Sequence, residues 1–197
     1  MNNNALLSNI YNHIILTPEE EELLLSKIRL RKFLKGQYVL QRGDICKYIN
    51  FVISGSLKSF HMDNKGNEHI LAFAIEDWWI GDLGSFATQK PADYTIQCIE
   101  NCELAQLSYE DLQILYTEIP QLERFFRIVI QKAYVFFQRR IIDNLSLTAK
   151  EKYLNFIKQY PQFEQRVPQY MIASYLGFTP EFLSKIRKER SIKRSKS

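Results

Sequence analysis

The residues of this chain whose side chains are most clearly suited to binding lie in a short segment near its C-terminal end, from Thr179 to Lys188. Hydroxyl, carboxylate, ammonium and guanidinium groups follow one another there between apolar residues. Such groups hydrogen-bond the edges of nucleic-acid bases, and the cationic ones bind phosphates. The candidate DNA-binding residues are Thr179, Glu181, Ser184, Lys185, Arg187 and Lys188.

Two short helices around a tight turn would position these side chains. Apolar residues recur at helical spacing over 171–176, and Gly177 can take the positive φ that ends a helix. Thr179 can cap the next helix, with Pro180 at its first position. This is the pattern of a helix-turn-helix, which lays its second helix in the major groove of double-stranded DNA. An ordinary helical hairpin with a solvated charged face has the same pattern and stays an alternative.

Formal charge is concentrated at the same end of the chain. Residues 146–197 hold 11 Lys and Arg against 4 Asp and Glu, whereas the whole chain has a net charge of +4. Residues 185–197 alone hold 7 basic residues and one acidic residue. A basic block joined to a mildly acidic body is typical of a polyanion-binding end, and such binding is strongly salt-dependent. A disordered solubilising tail is the alternative for residues 191–197.

Composition disfavours several other classes of protein. A chain of 197 residues with 46% hydrophobic residues can bury a real core. No apolar run reaches the roughly 18 residues that span a bilayer, and the N-terminal residues lack the pattern of a signal peptide. Three cysteines, an odd number, argue against a disulfide scaffold. We therefore expect a cytoplasmic protein in a reducing compartment, without a membrane partner.

Catalytic and metal sites also lack a signal. His13, His61 and His69 are isolated, and neither a phosphate loop nor a Ser/His/Asp or Cys/His arrangement is evident. Cys98 and Cys102 are predicted to share one face of one strand, where two thiols make neither an iron–sulfur cluster nor a zinc site with four cysteine ligands. Buried apolar cysteines are the favoured interpretation. We expect neither an enzyme nor a metal site.

The N-terminal half is predicted to be mostly strands. A capping box at Thr17–Glu20 starts a short helix, after which short apolar stretches are separated by glycines. The predicted strands are Tyr38–Leu40, Tyr48–Ile53, Leu57–Phe60, Ile70–Ile75 and Ile96–Leu107. Regular short strands with glycine turns favour a small antiparallel barrel or sandwich. Trp78 and Trp79 are interpreted as barrel packing rather than a ligand platform.

From Ser108 the apolar period becomes helical, and a long helix is predicted from Pro120 to about Leu145. One apolar face of this helix has steps of four and three residues, which is a heptad-like seam. Its members are Leu122, Phe126, Val129, Ala133 and Phe136, and the face is widened by Phe125, Ile130, Phe137 and Ile141. A second copy of the helix is the favoured partner, so a homodimer is expected. A single long core helix stays the alternative. A second capping box, Thr148 to Glu151, marks a hinge.

The chain resembles the Crp/Fnr family of bacterial transcription regulators over nearly its whole length. The motifs that carry the resemblance are Phe33-x-Lys35-Gly36-x-x-Val39-x-x-x-Gly43-Asp44, Tyr48-x-x-Phe51-Val52-x-x-Gly55-x-Leu57-Lys58, Ile80-Gly81-Asp82-Leu83-Gly84-x-Phe86 and Cys102-Glu103-Leu104-Ala105-Gln106-Leu107-Ser108. Each motif alone is weak, but four in order before a helix-turn-helix are a strong combination.

The resemblance implies an α+β fold with three parts. These are a cyclic-nucleotide-binding-type antiparallel β-roll (a double-stranded β-helix) over residues 1–118, a dimerisation helix over 119–145 and a winged-helix or helix-turn-helix domain over 146–197. It also implies a recognition helix at 180–189 with Glu181 and Lys185 at base-contacting positions, and RNA polymerase as a further partner. Pro180 stands where the family has a base-contacting Arg, so a different operator is expected.

The implied effector site departs from the family pattern. Gly81-Asp82-Leu83 keeps the turn that binds the ribose, with a shorter acid, and Ala92-Asp93 stands where the family has the Arg-Ser pair that binds the cyclic phosphate. A phosphate next to Asp93 without an arginine fork loses charge-assisted hydrogen bonds and is repelled. We expect weak or absent cyclic AMP binding, an effector of unknown identity or none, and no certain cofactor. The alternative to a DNA-binding regulator is a small-molecule sensory module that acts through protein–protein contacts.

Overall fold

The computed structural model of the chain describes residues 4–194, with side chains up to Glu189. The strands of this part are β1 Arg29–Phe33, β2 Tyr38–Leu40, β3 Tyr48–Ser54, β4 Leu57–Met62, β5 Glu68–Ala74, β6 Trp79–Ile80, β7 Thr95–Cys98 and β8 Cys102–Ser108. The helices are α1 Asn4–Tyr11, α2 Pro18–Lys27, α3 Leu83–Thr88, α4 Tyr109–Glu118, α5 Gln121–Ser146, α6 Ala149–Gln159, α7 Phe163–Arg166, α8 Gln169–Leu176 and α9 Pro180–Arg194. The tail predicted at 191–197 reaches residues 195–197, which lie outside the described residues.

The strands form two four-stranded sheets, in the orders β1-β8-β3-β6 and β2-β7-β4-β5. The pairs β1–β8, β3–β8, β3–β6, β2–β7 and β4–β7 are antiparallel, which confirms the predicted antiparallel β-roll. Gly55 makes the turn between β3 and β4 possible, because its φ is +92° and a Cβ there would lie 2.4 Å from the carbonyl oxygen of Asn101. In the turn after β4, Asp63 Oδ1 accepts hydrogen bonds from the N–H groups of Lys65 and Asn67.

By spatial clustering the chain divides into two compact units. The first runs to His61 and resumes over Ala72–Tyr134, and the second combines Met62–Leu71 with the chain from Val135 onward. The first unit has a core of apolar residues from both sheets, in which Phe51, Leu57, Ile96 and Leu104 are fully buried. Helix α5 starts in the first unit and ends in the second. The functional boundaries after residues 118 and 145 stay predictions.

Trp79 belongs to the core of the first unit, as predicted. Its indole ring lies 5.3 Å from the ring of Phe51 and 5.2 Å from that of Phe126, measured between centroids. The indole N–H donates to Asn9 Oδ1 at 3.1 Å, so the polar edge of this half-buried ring is also satisfied.

The second unit is held by an aromatic core among α6, α7 and α8. Phe156 lies with its ring centroid 5.8 Å from Tyr160, 6.0 Å from Phe163 and 5.3 Å from Tyr175. Helix α6 starts at the predicted capping box, in which Thr148 and Glu151 hydrogen-bond each other's backbone. The capping box at Thr17 and Glu20 is confirmed in the same way.

Two predictions about strands need correction. The strand predicted over Ile96–Leu107 is two strands, β7 and β8, which belong to different sheets. No glycine or proline marks the turn between them, and Asn101 is the one typical turn residue there. Within residues 4–194 no strand follows β8, so the wing of the predicted winged helix is not found there and the C-terminal part is helical.

The split strand changes the relation between the two cysteines. Cys98 and Cys102 lie on different strands rather than on one face of one strand, and both are buried. A hydrogen bond between the two thiols, together with burial, raises the pKa of Cys98. The same hydrogen bond lowers the pKa of Cys102. The interpretation of both residues as buried cysteines is supported by their place in the core.

Candidate effector pocket, dimer face and DNA-binding helices

The turn between α8 and α9 has the geometry that its sequence predicts. Gly177 ends α8 with a φ of +77°, which only glycine adopts without strain, and its N–H donates to Ser174 O at 3.1 Å. The N–H of Phe178 donates to Ala173 O at 2.8 Å. Thr179 Oγ1 accepts from the N–H of Phe182 at 3.3 Å and so caps α9. The two helices are therefore joined by a three-residue turn, as in a helix-turn-helix.

Helix α9 has one buried and one exposed face. Leu183 and Ile186 are buried, while Glu181, Ser184, Lys185 and Lys188 are exposed, as is the capping residue Thr179. The pKa of the Glu181 carboxyl is lowered by hydrogen bonds to its own backbone N–H and to Thr179. Its anionic form is the acceptor that a cytosine amino group requires.

Arg187 differs from the other candidate DNA-binding residues. Its guanidinium lies 3.7 Å from Glu164 Oε1 on α7, and the same oxygen accepts a hydrogen bond from the hydroxyl of Tyr153 at 2.7 Å. The side chain is partly exposed. The structure therefore gives Arg187 a contact within its own unit, which sequence spacing did not indicate.

The predicted effector residues meet around the carboxylate of Asp82. Asp82 is only 5% exposed and stands just before α3. Its Oδ1 accepts from the N–H of Ser85 at 3.0 Å, and its Oδ2 accepts from the N–H of Asp93 at 3.2 Å. Two backbone amides from separate segments thus converge on one buried carboxylate of the chain itself.

Other polar groups near Asp82 are bonded within the protein in the same way. Ser85 Oγ donates to Lys90 O and accepts from the N–H of Cys46 at 2.9 Å. The Tyr94 hydroxyl donates to Gly81 O at 2.9 Å, and burial raises its pKa. Sequence reasoning missed the bonds of Ser85 and Tyr94, because hydrogen bonds between loops leave no trace in residue spacing.

The remaining predicted effector residues have different environments. Ala92 is buried, whereas Leu83 and the side chain of Asp93 are exposed. Only the backbone of Asp93 takes part in the contact with Asp82. The structure therefore joins Asp82 to the backbone of Asp93 but leaves the side chain of Leu83 outside the buried site.

The apolar face of α5 is divided differently from the predicted seam. Leu122 and Phe126 are buried in the core of the first unit, and Val129 packs against that core. Ala133 and Phe136 are half-buried. The large apolar side chains that α5 exposes at steps of three and four residues are Ile130, Tyr134, Phe137, Ile141 and Leu145. Periodicity indicated an apolar helix but could not tell a core-facing stripe from an exposed one.

Comparisons with known proteins agree with this architecture. A family model for the cyclic nucleotide-binding domain matches residues 30–118. The chain is 25% identical over 169 residues to the transcriptional activator protein Anr of Pseudomonas protegens, an alignment that covers 80% of this chain and 68% of Anr. It is 27% identical over 114 residues to the cAMP-activated global transcriptional regulator Vfr of Pseudomonas aeruginosa, covering 51% and 53% of the two chains.

Among solved structures, the c-di-GMP-responsive global regulator CLP of Xanthomonas campestris has the same fold. Its TM-score is 0.72 at 19% identity, over 90% of this chain and 93% of that one. The chain therefore resembles Crp/Fnr-type regulators in sequence and in fold. The relatives named above are described as transcription regulators.

Two further findings concern residues 4–194. No group of three or more His, Cys, Asp or Glu residues in that part is arranged to hold a metal ion. None of the helices there is both long and apolar enough to cross a membrane.

Proposed function

We propose that this chain is a homodimeric, sequence-specific DNA-binding transcription regulator of the Crp/Fnr type that does not depend on cyclic AMP. The observation that carries the proposal is the exposed polar and basic face of α9, presented after a glycine turn by a helix whose other face is buried. Double-stranded DNA is the partner that matches this face, because its base edges and phosphates bond such side chains. We propose that the regulator acts in the cytoplasm and that RNA polymerase is a further partner.

The proposed dimer uses the exposed apolar face of α5. Tyr134 is 66% exposed, Ile141 is 61% exposed and Leu145 is 84% exposed. Apolar residues at heptad-like spacing on a solvent-facing helix favour pairing with a second copy, which would bury them. A twofold dimer would present two recognition helices to two half-sites about one helical turn apart.

The proposed independence from cyclic AMP is supported by the bonds of Asp82. A cyclic phosphate at the implied Ala92–Asp93 position would compete with the Asp82 carboxylate, which already accepts from the N–H of Asp93 at 3.2 Å. The carboxylate of Asp93 would also repel the phosphate. Ala92 offers no cation to offset that repulsion. The residues present therefore do not fit a cyclic nucleotide, although the relative Vfr is described as cAMP-activated.

Selection of bound sequences from a random double-stranded DNA library tests the proposal. The selection is run at near-physiological salt with the full chain, with and without cyclic AMP. We expect the same inverted repeat in both arms, with half-sites about one helical turn apart. Absence of an enriched sequence from both arms would contradict the proposal. That result would favour the alternative of a sensory module that acts through protein contacts.

A further inference from the structure

Arg140 on α5 binds the backbone of two other segments of the second unit. One guanidinium nitrogen, Nη2, donates to Ile70 O at 2.8 Å and to Tyr175 O at 2.9 Å. The other, Nη1, donates to Leu71 O. The guanidinium carbon also lies 4.2 Å from the ring centroid of Tyr175. Arg140 thus ties α5 to strand β5 and to α8, the first helix of the proposed helix-turn-helix.

Ser174 makes a second connection between α8 and the same strand. Its Oγ donates to Glu68 O at 2.6 Å and accepts from the N–H of Ile70 at 3.2 Å. Strand β5 is at the edge of its sheet, so backbone groups on its outer side lack a neighbouring strand. Ser174 and Arg140 supply the missing partners.

Burying the guanidinium of Arg140 costs free energy, which a role in packing alone does not explain. Burial lowers the pKa of its guanidinium, and its Nε is buried without a hydrogen-bond partner among the described residues. Tyr175 O lies in the last turn of α8, where carbonyl groups lack helical partners and a cation is favourable. An arginine fork with several fixed acceptors restricts direction as well as distance, which a flexible apolar side chain cannot do.

We propose that Arg140 and Ser174 are positioning residues for DNA binding, which fix the direction of the helix-turn-helix relative to α5. The inference rests on the proposed function. Within the second unit, Arg140 stands on the same helix as Phe137, Ile141 and Leu145 of the proposed dimer face. Fixing α8 to this part of α5 therefore fixes the distance and angle between the two recognition helices of a dimer.

The contact positions the helix-turn-helix and does not mask it. Glu181, Ser184, Lys185 and Lys188 stay exposed on α9 while Arg140 and Ser174 hold α8. Loss of the contact should therefore widen the range of half-site spacings that the dimer binds. It should not change the exposure of the recognition face.

The test compares the affinity for the selected operator with that for the same operator carrying one base pair inserted at its centre. The insertion separates the half-sites by about 3.4 Å and rotates them by about 35°. In Arg140→Ala and Ser174→Ala we expect operator affinity to fall about 10-fold, the equivalent of one lost hydrogen bond. The penalty for the inserted base pair is the ratio of the affinities for the two operators. We expect this ratio to shrink at least about threefold. Arg139→Ala, which removes an exposed charge from the neighbouring position, should change neither value.

Two controls separate positioning from general damage. A variant that is merely less folded loses affinity for both operators by the same factor, so an unchanged penalty in the alanine variants would overturn the inference. Ser174→Thr keeps the hydroxyl and should restore the penalty. In Ser174→Ala the amide of Ile70 should exchange its hydrogen at least about 10-fold faster, and an unchanged rate would overturn the contact itself. Failure of the unmodified chain to bind any operator would overturn the proposed function, and this inference with it.

Discussion

The surroundings of Asp82 and the outer face of α9 use their polar groups in opposite ways. Around Asp82, a buried carboxylate, a serine hydroxyl and a tyrosine hydroxyl are bonded to backbone groups of the chain. On α9, the carboxylate of Glu181 and the ammonium groups of Lys185 and Lys188 are exposed to solvent. The first region lies in the part of the chain that matches the cyclic nucleotide-binding domain model, and the second lies in the proposed helix-turn-helix.

The difference bears on which of the two regions has polar groups available to bind a ligand. A binding site needs donors and acceptors that exchange water for the ligand, and internal bonds remove them from that exchange. Charge-assisted hydrogen bonds inside a protein stabilise the fold by about 1.5–3 kcal/mol each, so a self-bonded pocket still serves stability. Exposed cations contribute little to folding and stay available for phosphates and bases.

The largest effect is expected from a substitution that breaks the proposed dimer, because the dimer carries two copies of the exposed face of α9. Ile141→Glu places a charge in the apolar face of α5, so we expect the sedimentation mass to halve. Operator affinity should fall at least about 100-fold, because a monomer contacts one half-site. Arg139→Glu introduces the same residue elsewhere on the helix and should leave the sedimentation mass and the operator affinity unchanged. An unchanged mass for Ile141→Glu would show that this face does not pair.

A smaller effect is expected from removing one cation of the recognition face. Lys185→Ala should weaken operator binding by about 2 kcal/mol, or about 30-fold, and relax the base preference at one position of each half-site. Titration of operator variants measures both. Lys35→Ala removes the same charge from the other unit and should change affinity less than about twofold. A Lys185→Ala protein with the original base preference would refute the assignment of that residue to base contacts.

The internal bonding of Asp82 predicts a change in stability. Asp82→Asn keeps an acceptor for the Ser85 amide but loses the charge and the acceptor for the Asp93 amide. We expect the free energy of unfolding in urea to fall by about 1.5 kcal/mol. Asp93→Asn changes an exposed side chain and should stay within about 0.5 kcal/mol. Equal stability of Asp82→Asn and the unmodified protein would mean that the carboxylate is not held as described.

The smallest expected effect is that of cyclic AMP on the same region. A ligand that binds only the folded state raises the melting temperature in proportion to the logarithm of its concentration. We expect millimolar cyclic AMP to leave the melting temperature unchanged. A saturable rise would indicate that the nucleotide displaces the Asp82 carboxylate from its amides.

Much of the fold could be predicted from local signals. Gly177, Thr179 and Pro180 mark a turn by their own backbone preferences, and the capping boxes at Thr17 and Thr148 do the same for α2 and α6. These features depend on residues a few positions apart, so one sequence contains the information. The turn between β7 and β8 has no glycine or proline and was missed.

The candidate sites depended on contacts between distant segments and could be predicted only in part. The motif at Gly81–Leu83 indicated the right place, but the bond of Asp82 to the amide of Asp93 joins separate loops. The apolar positions of α5 were found from their period, while the division into core and exposed faces follows from packing in three dimensions. Arg140 follows Phe136 by four residues, in step with the predicted seam, but its side chain contacts Ile70, Leu71 and Tyr175.

The most direct test of the contrast between the two regions is the affinity of the unmodified chain for its selected operator, measured by fluorescence anisotropy at about 150 mM salt with and without cyclic AMP. We predict a dissociation constant of about 10⁻⁸ M or lower that is the same within about twofold in both conditions. Tight binding that appears only when cyclic AMP is added would contradict the account, because the effector site would then be open to the nucleotide.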